Sequence, residues 1–212
     1  MEIINSIQKQ RGGYYLVSFD DGEKVKIPLP LLKTFPLKIN TAVDIDEYFE
    51  THQKEAFKFA AERAAYLLSK KDYTTKEMYY KLINVGYTDK TVNELLQYML
   101  ERRFLDDERY AENYIRRKKN KYGNNRIKQD LIYKGVDKKI IQEMLEKLVQ
   151  DSETLDLAVE LVKKYIKTRM HFEANKLYNN SIAMLARKGF DFSTAKEAYK
   201  IALSSLESSS EK

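Results

Sequence analysis

The chain has 212 residues, 43% of them apolar, which is enough for one or two domains with hydrophobic cores. It contains no cysteine, and this excludes disulfides, thiolate metal sites and cysteine nucleophiles. The net charge is +6, and residues 101–139 carry all of it, with 13 Lys and Arg against 7 Asp and Glu. This concentration predicts a polyanion or an acidic protein groove as partner, and the alternative is a solvated helix face.

No segment indicates a membrane or an export signal. The longest apolar runs are a few residues long, whereas a helix that spans a bilayer needs about 20. Residues 1–10 lack the basic start and apolar stretch of a signal peptide. We therefore expect a cytoplasmic protein that does not contact a membrane.

Residues 1–50 are predicted to form a small β-rich N-terminal module. The runs IINSIQ, YYLVSF and KVKIPL are short and rich in β-branched and aromatic residues. The sequence DDGE at 20–23 is a hairpin turn signal, and all three prolines of the chain lie in this module. A helical connection is expected to begin near Asp46.

The rest of the chain contains an internal repeat. LINVG (82–86), LIYKG (131–135) and LARKG (185–189) each read Leu, apolar residue, two variable residues, Gly. This pattern predicts a helix that ends at a glycine in the left-handed conformation, followed by a tight turn. An aspartate within three residues of the glycine (Asp89, Asp137, Asp191), or a neighbouring Thr88 or Ser193, is expected to cap the next helix.

The similarity between the three copies continues beyond each glycine, as apolar residues at helical spacing. The positions 6, 9, 10 and 13 residues later fall on one side of a helix and are apolar in every copy. They are Val92, Leu95, Leu96 and Met99; Ile141, Met144, Leu145 and Leu148; and Ala195, Ala198, Tyr199 and Ala202.

A longer helix is predicted before each short one, at about 55–70, 106–121 and 152–170. The expected fold is therefore mainly α: three tandem three-helix repeats in an elongated, curved array, with the β-rich module at the N-terminus. The predicted boundaries are 53–103, 104–150 and 151–205 for the repeats, with a disordered tail at 206–212.

Two further helix starts are predicted upstream of the glycine turns. Thr74-x-x-Glu77 fits a capping box in the first copy. In the second copy Asn124 or Asn125 is expected to cap the equivalent helix.

Few residues are suited to catalysis. His52 and His171 are far apart and lack companion ligands, and none of the seven glycines forms a phosphate-binding loop. The pair Asp106–Asp107 is interpreted as the start of a helix, because acidic residues there satisfy free N–H groups and complement the helix dipole. We expect no catalytic residue, no metal and no cofactor.

The helix that follows this acidic pair is amphipathic and strongly basic. Ala111, Tyr114 and Ile115 share one side, so the cations opposite them face solvent or a partner. Tyr122 and Tyr133 are further contact candidates, whereas Tyr66, Tyr114 and Tyr199 are expected in the core. The predicted binding residues are Arg109, Arg116, Arg117, Lys119, Lys121, Arg126 and Lys128.

The stretch FLDDERYAENYIRRK, followed by YGNNRIKQDLIYKGVDKKIIQEML, resembles the RecX family of regulators of the RecA recombinase. The resemblance covers residues 56–205 as three helical triplets, and residues 1–50 are similar to the β-type extension of some members. Arg103 and Phe104 stand where many members have a small residue or glycine before Leu-Asp-Asp.

The resemblance implies a non-enzymatic protein that docks in the groove of RecA filaments. We expect the protein to be a monomer. It would inhibit the recombinase, ATPase and co-protease activities and so regulate DNA repair. Single- or double-stranded DNA is a further expected partner, bound non-specifically and in a salt-dependent manner. Two alternatives stay open: a DNA-binding protein with tandem helix-turn-helix-like repeats, and a helical-repeat scaffold for another acidic partner.

Overall fold

A computed structural model describes residues 1–210, except for the side chains of residues 151 and 208–210. The chain divides into an N-terminal unit, Met1–Asp106, and a C-terminal unit, Asp107–Lys212. Each unit is described by itself.

The N-terminal unit begins with a four-stranded antiparallel sheet of order β3-β2-β1-β4. The predicted hairpin turn is confirmed: Gly22 has a φ of 92°, and the Asp21 carboxylate accepts a hydrogen bond of 2.8 Å from the Glu23 N–H. The strands are β1 (Glu2–Gln10), β2 (Tyr14–Phe19), β3 (Lys24–Pro28) and β4 (Ala42–Val43).

Two short helices cover the sheet, α1 (Leu29–Thr34) and α2 (Ile45–Thr51). Their buried residues Leu31 and Phe49 pack in one cluster with Ile4 and Ile27 of the sheet. Asp44 caps α2, which confirms the helical connection predicted near Asp46.

Nine helices follow among the described residues, grouped as three triplets that we call repeats 1, 2 and 3. Each repeat contributes its own cluster of buried apolar side chains. Repeat 1 comprises α3 (Gln53–Leu68), α4 (Thr75–Ile83) and α5 (Asp89–Glu101); repeat 2 comprises α6 (Asp107–Lys118), α7 (Asn124–Tyr133) and α8 (Lys138–Leu148); repeat 3 comprises α9 (Asp151–Lys167), α10 (Ala174–Arg187) and α11 (Phe192–Ser210).

The glycine turns have the predicted geometry in all three repeats. Gly86, Gly135 and Gly189 have φ values of 95°, 87° and 89°, in the left-handed region that glycine favours. In each copy the carbonyl of the leucine four residues earlier accepts a hydrogen bond from the N–H of the residue after the glycine. This bond explains the Leu-x-x-x-Gly spacing.

The predicted apolar stripes lie in the cores. Eleven of the twelve positions are buried, and Leu148 packs partly buried against the cluster of repeat 2. Thr74 and Glu77 form the expected capping box, and Thr88, Asp137 and Asp191 cap the helices after the turns.

Three expectations need correction. Neither Asn124 nor Asn125 caps α7: its N-cap is Gly123, because N–H groups at the start of this helix donate to backbone carbonyls of repeat 3. Tyr66 is 63% exposed, because the buried stripe of α3 consists of Ala56, Ala60 and Ala64.

The third correction concerns the predicted tail, 206–212. Residues 206–210 belong to α11, since Leu203 and Leu206 pack against the cluster of repeat 3 and favour continuation of the helix. The remainder of that tail, 211–212, lies outside the described residues.

Candidate partner-binding surface

The acidic pair lies at the start of a helix, as predicted. Asp106 immediately precedes α6, and Asp107 and Glu108 occupy its first turn, where negative charge complements the helix dipole. Among the described residues, the side chains grouped closely enough to share a metal ion are Glu2 of β1 and Asp21 and Glu23 of the β2–β3 turn, and they do not include this pair.

The inner face of α6 consists of buried Tyr110, Ala111 and Ile115. Tyr114 is half-buried on the same side, and its hydroxyl donates a 2.9 Å hydrogen bond to Asp130 of α7. Burial, together with the bond to Asp130, raises the pKa of Tyr114 to about 12, so this hydroxyl stays protonated and keeps α6 joined to α7.

The outer face of α6 carries the exposed side chains of Arg109, Arg116 and Arg117. Arg116 donates to Glu112 at 2.8 Å, one helical turn earlier. Arg117 donates through Nε to the carbonyl of Asn113 at 3.2 Å. Because exposed pairs of this kind contribute little, the guanidinium groups remain accessible to a partner.

Lys119 occupies a different environment from these arginines. Its half-buried side chain donates to the Leu148 carbonyl at 3.2 Å and to the Glu153 carboxylate at 2.8 Å. The hydrogen bond from Lys119 also lowers the pKa of Glu153. Lys119 therefore joins the end of α8 to the beginning of α9, whereas Lys121 is exposed beyond α6.

The start of α7 is held by the turn of repeat 3. The N–H groups of Gly123 and Asn125 donate to the carbonyls of Lys188 and Gly189, at 3.0 and 3.1 Å. A Cβ atom on Gly123 would lie 2.4 Å from the Gly189 carbonyl oxygen, so only glycine permits this approach. Two N–H groups at the start of α7 thus have backbone acceptors in repeat 3, which take the place of an asparagine cap.

The contact between α7 and the turn of repeat 3 places Arg126 and Lys128 near Arg187, a residue that the sequence did not indicate. Arg126 pairs with Asp130 at 3.2 Å, and Lys128 is half-exposed on the same helix. Both line a cleft whose opposite wall includes Arg187 of repeat 3. The signal was present in LARKG, where two cations precede the glycine.

Lysines also surround the tyrosines of repeat 2. The ammonium groups of Lys118 and Lys188 lie 5.5 and 5.6 Å from the centre of the Tyr122 ring, within cation–π range. The half-buried Tyr122 ring therefore makes cation–π contacts with two lysines. Tyr133, by contrast, is 87% exposed at the end of α7.

No helix within residues 1–210 is long and apolar enough to cross a membrane.

Comparisons with known proteins agree on one family. Residues 106–145 match the family model described as RecX, second three-helix domain. The chain is 30% identical to the regulatory protein RecX of Clostridium tetani over 156 residues, which cover 73% of this chain and 72% of that relative. It is also 30% identical to the Finegoldia magna regulatory protein RecX over 188 residues, 86% of each chain.

Solved structures show the same fold. A crystal structure of a regulatory protein RecX superposes with a TM-score of 0.65 at 22% identity and covers 96% of this chain and all of the other. The crystal structure of RecX from Lactobacillus salivarius gives a TM-score of 0.66 at 24% identity, over 70% of this chain and 97% of that one.

Proposed function

The chain belongs to the RecX family of regulatory proteins, and from this premise we propose that it binds RecA in the filament groove and inhibits its recombinase, ATPase and co-protease activities. It acts by binding and not by catalysis, and in this way it regulates DNA repair.

The observation that carries the proposal is the outer face of α6. Arg109, Arg116 and Arg117 point away from the core of repeat 2, in the window that holds the net charge of the chain. A rigid helix that presents several guanidinium groups is suited to an acidic groove, because arginine forms bidentate bonds with carboxylates.

Co-sedimentation tests this proposal. The protein is mixed with RecA filaments on single-stranded DNA, and the amount that sediments is compared with the amount of RecA. The double variant Arg116→Glu/Arg117→Glu should sediment much less, with unchanged helix content by circular dichroism. The matched control Lys138→Glu/Lys147→Glu, which places the same charge change on exposed residues of α8, should sediment like the wild type.

Absence of the wild-type protein from the pellet would contradict the proposal. Equal loss with the control variant would show that the contact is general charge attraction and not the face of α6.

A sequence-specific helix-turn-helix function is less well supported. The helices after the glycine turns, α5 and α8, present exposed Glu94, Glu143 and Glu146, which repel DNA phosphates. A DNA footprint at a defined site would favour this alternative over the RecA proposal.

A further inference from the structure

The turn of repeat 1 is covered by the N-terminal module, which consists of β1–β4, α1 and α2. A Cβ atom on Gly86 would lie 2.2 Å from the backbone carbonyl oxygen of Lys26 in β3 and 2.5 Å from its carbonyl carbon. The neighbours of this glycine, Val85 and Tyr87, are only 5% and 4% exposed. Gly86 therefore lies directly against the backbone of a strand of the module.

The turn of repeat 3 is covered in a similar way by repeat 2. A Cβ atom on Gly189 would lie 2.3 Å from the backbone nitrogen of Arg126, at the start of α7. In both turns a left-handed glycine meets the backbone of an element that comes earlier in the chain, and a larger residue would separate the two backbones. The module therefore covers the turn of repeat 1 as repeat 2 covers the turn of repeat 3.

Side chains extend the contact between the module and repeat 1. The ring of Tyr14 in β2 packs partly buried against the cluster of repeat 1, and the ammonium group of Lys26 lies 5.2 Å from the centre of this ring. Arg63 of α3 reaches the turn between β1 and β2, where its Nη1 atom would lie 3.3 Å from a Cβ atom on Gly13. The contact thus involves both α3 and the glycine turn of repeat 1.

Helix α3 also contributes to both hydrophobic clusters of the N-terminal unit. Its residue Ala56 is buried in the cluster of the module, whereas Ala60 and Ala64 are buried in the cluster of repeat 1. Phe59 packs against both clusters. Because one helix lines both cores, unfolding of either core would expose an apolar face of α3 to water, which is unfavourable.

We propose that the N-terminal module is a cap for repeat 1, and that the two fold and unfold as one cooperative unit. In proteins built from repeats each unit is stabilised by its neighbours, and the first unit needs a cap in place of the missing neighbour. Here β3 and the ring of Tyr14 supply the cap. The module is thus a structural part of repeat 1 and not a separate domain on a linker. This proposal does not rest on the RecA interaction.

A substitution inside the module, away from the contact, tests the cap. Ile4 is fully buried in the cluster of the module and does not belong to the cluster of repeat 1. In the full-length variant Ile4→Ala, native-state hydrogen exchange is measured in β2 and in α5 of the same sample. We expect protection to fall by about tenfold or more in both elements, because unfolding of the module uncovers repeat 1.

The milder variant Ile4→Val provides the measurement if Ile4→Ala does not fold, with an expected loss of about two- to tenfold in both elements. The reciprocal variant Leu95→Ala, in the core of repeat 1, should lower protection in β2 by a factor similar to that in α5. A module that folds by itself would lose protection in β2 alone in the Ile4 variants. That result would overturn the proposal.

The variant Gly86→Ala tests the glycine contact, with Gly22→Ala as the matched control. The two glycines have φ values of 95° and 92°, so the backbone strain is the same, but no atom lies within 4 Å of a Cβ on Gly22. We expect Gly86→Ala to lower protection in β2 and α5 by about tenfold more than Gly22→Ala does. Equal effects would overturn the proposal, since the turn would then not depend on β3. Because RecA is absent from these tests, their failure would leave the proposed function untouched.

Discussion

Helices α4 and α7 occupy equivalent positions in repeats 1 and 2, yet their first turns are stabilised differently. In α4 the Thr74 hydroxyl accepts the Glu77 N–H at 3.1 Å, and the Glu77 carboxylate accepts the Thr74 N–H at 3.3 Å. In α7 the N–H of the N-cap residue Gly123 and the N–H of Asn125, two residues later, donate to the carbonyls of Lys188 and Gly189 in another repeat.

Every helix begins with N–H groups that have no acceptor within the helix. In α4 the acceptors are side chains of the same helix start, and in α7 they are backbone carbonyls of repeat 3. The cap of α4 consists of its own side chains and needs no group from another repeat. Backbone acceptors from repeat 3 make the start of α7 depend on the packing of two repeats. The difference predicts which substitutions affect one helix and which affect the whole C-terminal unit.

The largest effect is expected for Gly123→Ala. The new Cβ would lie 2.4 Å from the Gly189 carbonyl oxygen and 2.6 Å from the Phe190 nitrogen, so the turn of repeat 3 must move away from α7. We expect a loss of about 3 kcal/mol in the free energy of unfolding of the C-terminal unit, as for other overpacked sites. Native-state hydrogen exchange in α7 and α10 measures it.

Gly22→Ala is the control for a glycine substitution without a clash. No atom lies within 4 Å of the added Cβ, and the positive φ of 92° alone should cost about 1 kcal/mol. An equal or larger loss for Gly22→Ala would contradict the importance of the contact between Gly123 and Gly189.

The next effect distinguishes the two helix starts directly. Thr74→Ala should cost about 1–2 kcal/mol, because it removes a buried cap whose hydroxyl has no substitute. Asn124→Ala should lower the free energy of unfolding by only a few tenths of a kcal/mol, because the Gly123 and Asn125 N–H groups already have backbone acceptors. Denaturant unfolding of both variants measures the difference. Comparable losses would show that Asn124 acts as a cap after all.

A smaller effect is expected for Lys119→Gln. The substitution removes a charge that bonds to the Leu148 carbonyl, and that hydrogen bond is worth about 1 kcal/mol. Lys121→Gln should leave stability unchanged, because that side chain is exposed. Thermal unfolding compares the two. If both variants melt like the wild type, Lys119 does not connect α8 to α9 and is available to a partner.

The smallest effect concerns the cap of α11. Hydrogen bonds from the Ser193 hydroxyl and from the Thr194 N–H and hydroxyl lower the pKa of Asp191 to about 2. The folded pKa lies below the unfolded one, so this stabilisation is complete above about pH 4 and is lost as the pH falls towards 2.

Because Asp191 is largely solvent-exposed, its contribution should be below about 1 kcal/mol. Acid titration of Asp191→Asn should show a shallower loss of stability between about pH 4 and pH 2 than the wild type shows. An unchanged slope would mean that other carboxylates dominate acid unfolding.

The parts of the fold that sequence predicted correctly depend on nearby residues. The glycine turns follow from a leucine four positions upstream and a left-handed glycine, as at Gly86 and Gly189. The buried stripes follow from helical periodicity, as in Ile141 and Met144. In these cases the interacting groups lie within a few helical turns of one another.

The parts that sequence did not predict depend on partners far along the chain. Periodicity shows that a face is buried, but it does not show which element covers it. For this reason the contact between Gly123 and Gly189, the bond from Lys119 to Glu153 and the cleft position of Arg187 were not predicted. Tyr66 was placed in the core because its stripe was assigned without knowing that α3 packs through its alanines.

The most direct test of the proposed function is the ATPase activity of RecA on single-stranded DNA, measured while this protein is added in increasing amounts. We predict that ATP hydrolysis and strand exchange fall together as the protein approaches the amount of RecA, and that Arg116→Glu/Arg117→Glu restores both. Unchanged hydrolysis and strand exchange at equal amounts of the two proteins would contradict the proposed inhibition of RecA.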